Sequence, residues 1–472
     1  MILRDPVHGL IAFESEETAI IPRLLAATEV QRLRRIRQLG LTSFAFPGAE
    51  HTRFAHALGA AHVMILLLAR LRQIDGDLPF WQRVTSERAR DAIAAAFLHD
   101  IGHGPLSHLF EEALPGAVPH ETWTERILLD PDSEVHRILA SDDPHLPRRV
   151  AALVEGQHEL PYLAKAVSGT FDVDRCDYLL RDAHATGVTY GDYDLPWLLR
   201  SLRFDNVSRG AHGAPGLAID GAKGLSAIEA FLLARLFMFQ QVYFHKSTRA
   251  AEWMIGAILR RAISIVRDGT RLPQLLPALA SVAAGNAPSL SEYLELDDPT
   301  LLCALHAWEG VKDPILADLC RRLRARSLFK TIELYASSEG LSADSPGADS
   351  AEGRPGGPHD ANRGGDPSHA EMAEGPAPRG PSESAQAAAL ATAREIAKNA
   401  GFDPEVYVGL DVASDVPFPE DESLSVVFQR GRARRPAEVS FLLERLRNEK
   451  LTRVRIIFAP ELRDAMREAL IR

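Results

Sequence analysis

The chain has 472 residues, 46% of them hydrophobic and 25% charged, with a formal net charge of -11. This composition suits a globular protein with a large core and more than one domain, and excludes a collagen-like or wholly disordered chain. The acidic balance argues against a nucleic-acid-binding surface, and the three cysteines (Cys176, Cys303, Cys320) lack the paired spacing of a disulfide framework or zinc ribbon.

Along the chain, MILRDPVHG carries no signal-peptide pattern, and LIAFE reads as a short strand. Arg32, Arg34, Arg35 and Arg37 form a basic cluster, read equally as a solvated face or a functional patch. The apolar helical run LGAAHVMILLLARL contains VMILLLA, which Arg70 stops and which is too short to span a bilayer. No membrane association and a cytoplasmic location are therefore expected. A second apolar helix, ERARDAIAAAFLH, ends at His99. SLRFDNV and GLAID read as strands, and the longest helix is expected from about Leu225 to Val266. Pro273 to Leu334 has helical periodicity but no recognisable chemistry. From about Ser337 to Ala385, Gly, Pro, Ser, Ala and acidic residues dominate, as in a disordered linker. Beyond it EVYVGLDV, SLSVVFQR and RVRIIFA read as strands, with SFLLERLRNEK and PELRDAMREALIR as helices.

The expected architecture is mainly α: a helical bundle with short strands over residues 1–270, a helical extension over 271–336, a linker over 337–388 and a small α/β module over 389–472. Because the proposed chemistry ends at Lys246, that last module is expected to be dispensable for it.

The chemistry centres on FLHDIGHGPLSH, where His99 and Asp100 stand in succession and His103 and His108 follow. A nitrogen and an oxygen ligand together suit Zn, Fe, Mn or Co. A lone His-Asp pair usually caps a helix, so a metal site needs further ligands. His56, at the start of one apolar helix, and Asp174, in FDVDRCDYLLRD, are the candidates. Polar residues at the ends of apolar helices converge readily in a bundle. On the long helix Arg235, Phe239, Tyr243 and Lys246 follow helical spacing and are expected to share one face.

The ordered motifs DPVHG, QRLRRIRQLG, FPGAEHTRFAHALG, FLHDIGHGPLSHLFEE, DVDRCDYLLRDAHATG and YFHK resemble the HD-superfamily deoxynucleoside triphosphate triphosphohydrolases (dGTPase-like) over roughly the first 260 residues. The likeness is to the branch with the SAM-and-HD-domain proteins, as a bacterial-type member without the SAM domain. It implies an HD-domain bundle that binds one divalent ion through His56, His99, Asp100 and Asp174, with Mg accompanying the substrate. It also implies His120 as acid/base with Glu111 orienting it, and His103 and His108 on the α-phosphate and leaving group. Arg53, Arg175, Arg235 and Lys246 would neutralise the triphosphate. Gln38 and Asp182 would bond the sugar 3′-hydroxyl, while Leu39, Tyr178 and Tyr243 line the sugar, Leu39 and Tyr243 crowding the ribose 2′ position. The implied partners are a deoxynucleotide substrate, a nucleotide effector at a position such as Arg34, and further copies of the chain in a dimer or tetramer.

Three departures stand out: Arg175 replaces a frequent Lys, while Phe239 and Phe244 stand where the vertebrate relatives have His and Gln. The last two remove hydrogen-bonding capacity near the base and leave base preference open. Two other readings compete: an HD phosphodiesterase or nuclease acting on oligonucleotides or modified nucleotides, and a nucleotide sensor that no longer turns over. The retained metal and acid/base residues weigh against the second.

Overall fold

Two units make up the chain, Met1–Phe329 with Ser414–Leu451 and Lys330–Ala413 with Thr452–Arg472. They are seen in a computed structural model that describes residues 1–114, 118–205, 215–337, 340–343, 381–420, 424–429 and 432–471. The described residues are mainly helical with small sheets, as the patterning predicts.

The first unit opens with an antiparallel hairpin, β1 (Ile2–Asp5) and β2 (Gly9–Ala12), in register from Ile2 opposite Ala12 to Asp5 opposite Gly9. Asp5 Oδ1 accepts from the backbone N–H of Val7 and His8 at 2.9 Å each, shaping the DPVHG turn. Three helices then build the core around the site: α1 (Arg53–Ile74), α2 (Ser86–Leu98) and α5 (Val173–Thr186), with α3 (His108–Ala113) and α4 (His120–Leu129) between them. Alanines at 92, 94, 95 and 96 bring α2 close to its neighbours, while Met64, Leu67, Phe97 and Leu179 fill the interior. Each large apolar side chain so buried contributes about 1.5–3 kcal/mol. The Asp172 side chain caps α5 by accepting from Arg175 N–H. Gly187, at φ +78°, ends it in a conformation that costs a residue without Cβ little. A Cβ at Gly59 of α1 would collide with the Asp177 carboxylate and the Arg181 guanidinium, so glycine sets the approach of α1 to α5. Although α1 is long and apolar enough to cross a membrane, most of it is buried within this unit.

Several expectations need correction. The long helix breaks into α6 (Leu225–Met238), a π-turn at Phe239–Tyr243, and α7 (Lys246–Arg267). The extra π residue shifts the register, and His245 leaves helical geometry to cap α7 by accepting from Ser247 N–H. Arg235, Phe239 and Tyr243 still meet, the guanidinium over the Phe239 ring and that ring 5.0 Å from the Tyr243 ring, but Lys246 lies beyond the break and does not continue their face. The Arg32–Arg37 cluster is divided: Arg32 is buried and donates to Leu296 O, whereas Arg34 and Arg35 are exposed, Arg34 bonding Gln31 and Arg35 pairing with Asp297, and Arg37 pairs with Glu50.

The C-terminal residues are α/β as expected, and they are divided between the two units. In the first unit, β3 (Leu202–Asp205) and β4 (Gly216–Asp220) are antiparallel, and β8 (Leu424–Val427) adds to β4 in parallel. Residues 414–451 thus complete the first unit, and a chain ending near Ser337 would lose them. The second unit holds a four-stranded sheet in the order β6-β5-β9-β7, from β5 (Lys330–Ser337), β6 (Gly340–Ala343), β7 (Val408–Asp415) and β9 (Leu451–Phe458). The expected helical extension accordingly ends at Arg324, because the alternating KTIELYAS pairs as a strand on both edges. Of the expected linker, residues 344–380 lie outside the described residues.

Candidate active site

His56, on the first turn of α1, is fully buried, and its Nδ1–H donates to Asp177 Oδ2 at 2.8 Å. That bond directs Nε2 toward Asp174 Oδ1 at 3.0 Å, His99 Nε2 at 3.3 Å and Asp100 Oδ2 at 3.5 Å. His99 caps the C-terminus of α2, where its Nδ1–H donates to Ala96 O at 2.9 Å and its Nε2 lies 3.4 Å from Asp174. Both imidazoles thus present Nε2 with Nδ1 engaged, the arrangement in which a carboxylate or carbonyl fixes a metal-ligating tautomer. Donor atoms of His56, His99 and Asp174 all lie within 4.8 Å of one another, and Asp100 borders them. This donor set fits one divalent transition metal.

The electrostatics show how strongly the cluster calls for positive charge. Burial alone would depress the His56 pKa, but hydrogen bonds to Asp174 and Asp177 outweigh it and push it up to about 10. Burial would likewise raise Asp174 and Asp177, yet the histidines beside Asp174, and Arg181 and the histidines beside Asp177, hold both below the usual carboxylate range. Arg53, the residue expected to meet phosphate, braces a metal ligand: its Nη1 donates to Asp100 Oδ2 and its Nε to Ser107 Oγ at 2.9 Å. Ser107 (φ +61°) and Leu106 (φ +58°) occupy left-handed backbone, a strain of about 1–3 kcal/mol each that surrounding bonds sustain. Those bonds run from Leu106 N–H to Asp298 Oδ1 at 2.8 Å and from Ser107 Oγ to Arg37 O at 2.8 Å.

Next to the ligands, the His103 and His120 rings lie 3.8 Å apart and tilted by 33°. His103 Nδ1 is 3.3 Å from Asp100 Oδ1, while His120 Nδ1 faces Glu111 Oε1 at 3.1 Å and Glu121 Oε2 at 3.3 Å. His120 is therefore tied to the metal cluster through His103 and faces two carboxylates. The side chain of His108 lies outside the described residues.

Of the sugar and phosphate candidates, Tyr178, Asp182 and Tyr243 meet on the same face of α5 as the metal ligand Asp174. Tyr243, in the π-turn, donates from Oη to Asp182 Oδ2 at 2.8 Å and meets the Tyr178 ring edge-on at 6.4 Å. Gln38 Oε1 is buried without a hydrogen-bond partner, and Leu39 is half-buried against the core. Arg235 is buried, with Nε and Nη1 lacking acceptors, its guanidinium over Phe239 and Nη2 3.6 Å from Asp415. Arg175 donates to Asp172 and, at 2.5 Å, to Gly169 O, which ties much of its guanidinium to the cap of α5. Lys246 is exposed at the first position of α7, and no contact among the described residues joins it to the cluster.

Three contributors escaped the sequence reading. Asp177 orients His56 and accepts from His8 Nε2 at 2.6 Å. Arg181 bonds both Asp177 oxygens and reaches Asp5 Oδ2 at 2.8 Å. His51 donates from Nε2 to Asp182 Oδ1 at 2.7 Å. A signal for the first two was present, since 174, 177, 178, 181 and 182 follow the i, i+3, i+4, i+7, i+8 stripe of one helix face.

Residues 53–182 match the HD domain and residues 198–354 the HD-associated region. Over 474 aligned residues the chain is 31% identical to the Bacillus subtilis (strain 168) uncharacterized protein YwfO, covering 98% of this chain and 92% of that protein. It is 26% identical over 368 residues to the human deoxynucleoside triphosphate triphosphohydrolase SAMHD1, covering 70% of this chain and 54%, about half, of that protein. A phosphohydrolase structure from Bacteroides thetaiotaomicron superposes with a TM-score of 0.73 at 25% identity, over 97% of this chain and 99% of that one.

Proposed function

This chain belongs to the HD superfamily of phosphohydrolases, and on that premise we propose that it hydrolyses deoxynucleoside triphosphates to deoxynucleoside and inorganic triphosphate. The observation that carries this reading is the meeting of opposite needs around α5. A cluster of two histidines and two carboxylates, with His56 and Asp100 buried and His99 and Asp174 half-buried, lies across Tyr178 from a buried guanidinium, Arg235, with donors lacking acceptors. A cation fits the first and a phosphate oxygen the second.

A divalent ion held by His56, His99, Asp100 and Asp174 supplies polarisation of a phosphoryl oxygen and a water of lowered pKa. The chain's own residues do the rest. Arg235 and Arg175 orient the triphosphate, and Gln38 and Asp182 bond the 3′-hydroxyl. Tyr243, pinned by Asp182 and Tyr178, stands with Leu39 where a 2′-hydroxyl would be, so a ribonucleotide meets apolar and aromatic surface. Water attacks the α-phosphorus, the bond to the 5′-oxygen breaks, and His120 gives that oxygen its proton while Glu111 stabilises the charged ring. The water's oxygen leaves on triphosphate, and its released proton balances the one His120 delivers. The same proposal places the enzyme in the cytoplasm as a homo-oligomer responsive to a nucleotide effector.

Incubating the purified protein separately with each dNTP, each NTP and a single-stranded oligonucleotide, with ion chromatography for triphosphate, tests the reading. Triphosphate from dNTPs alone supports it. Cleaved oligonucleotide without triphosphate would make the chain a phosphodiesterase, and no turnover with nucleotide bound would make it a sensor.

A further inference from the structure

On a different face of α5 from the metal ligands lies a cavity of about 770 Å³, within the size range of small-molecule sites. Its apolar walls come from α1 and from the segment after α5, with Leu66, Val188, Pro196 and Leu199 among them. Arg70 and Arg200 stand on its rim. We propose that this cavity is a second ligand site, which takes a small organic anion with an apolar body.

The charge distribution supports that chemistry. The chain carries a net charge of -11, yet Arg70 and Arg200 line the cavity and Arg203 stands near Arg70. Only Arg203 of the three has a carboxylate partner among the described residues, Asp220 at 2.9 Å. Arg70 Nη2 donates to Leu202 O at 3.0 Å, while its Nε is buried without an acceptor. Burial first, and then the neighbouring Arg203 and Arg200, lower its pKa. Cations held together beside an apolar wall are relieved by an anion, and the wall rewards a ligand whose remaining surface is hydrophobic. One acidic side chain, Asp192, lines the cavity, and it is exposed. The occupant would also touch His8, which lines the cavity and donates to Asp177, the partner of His56. The second site is thus two hydrogen bonds from a metal ligand.

The test uses the full-length protein and 1-anilinonaphthalene-8-sulfonate, an aromatic body with one sulfonate, followed by fluorescence and calorimetry. Saturable one-to-one binding is expected. The Arg70→Gln, Arg200→Gln double variant is expected to weaken it about tenfold or more, as loss of charge-assisted hydrogen bonds does. Ala69 is an exposed cavity residue, so Ala69→Trp fills the space without disturbing the core and is expected to abolish binding with an unchanged melting temperature. Binding that is unsaturable, or indifferent to both variants, overturns the proposal. So does sedimentation in which the wild type is a dimer and Ala69→Trp a monomer, because the groove would then be covered by a second copy.

Discussion

The metal-ligand cluster and the sugar-phosphate region share α5 but are built differently. The cluster is drawn from the ends of three packed helices, and three of its four ligands are held by a second bond: His56 by Asp177, His99 by a backbone carbonyl, Asp100 by Arg53. The sugar-phosphate side relies on a π-turn, on Gln38 outside any helix, and on Arg235 with unmet donors. One region is bonded before any ligand arrives, whereas the other has hydrogen-bonding capacity in reserve. The difference teaches that here positioning of the reaction centre comes from the core, and recognition from the interruptions of regular structure.

Changes to the cluster should therefore have the largest effects. Asp174→Ala removes a shared ligand, and elemental analysis should find the resident metal gone and hydrolysis with it. An unchanged metal content would show that the ligand set is misassigned. His120→Ala should keep its metal yet lose about 10²–10⁴-fold in turnover, the usual worth of a general acid or base. Near wild-type rates on dNTPs would shift proton transfer to another group, His108 first.

One layer out, Asp177→Asn leaves the ligands intact but loosens the tautomer and orientation of His56. Chelator competition should show about 10–100-fold weaker metal binding, and wild-type affinity would deny Asp177 its orienting role. On the recognition side, Leu39→Gly should leave metal content alone and narrow the dNTP/NTP preference by about tenfold, a typical value for one apolar contact. A constant ratio would place the sugar elsewhere.

The smallest effect concerns pH in the metal-free protein. The His56 pKa is raised from 6.5 to about 10, so its contribution to stability is complete below pH 6.5 and lost as pH rises through 10. Asp174 and Asp177 are shifted the other way, so their contribution holds above about pH 4 and is lost in acid. The melting temperature of the metal-free protein should accordingly fall between pH 6.5 and 10. Bound metal, replacing the proton, should flatten that decline. A melting temperature that climbs over the same window would contradict the His56 network.

Local pattern determined a good deal of this protein. Apolar periodicity marked the helices that carry His56 and His99, and a His-Asp pair at the end of one of them marked the reaction centre. These features depend on neighbours a few residues away, so a linear reading reaches them. Tertiary structure alone decided that Arg53 braces Asp100, and that His8 and Asp177 stand behind His56. It also decided that the helix after Met238 opens into a π-turn, and that residues 414–451 return to complete the first unit. The partners in each case are tens to hundreds of residues apart. A buried charge is satisfied by whichever group packing brings near, and sequence distance carries no record of that choice.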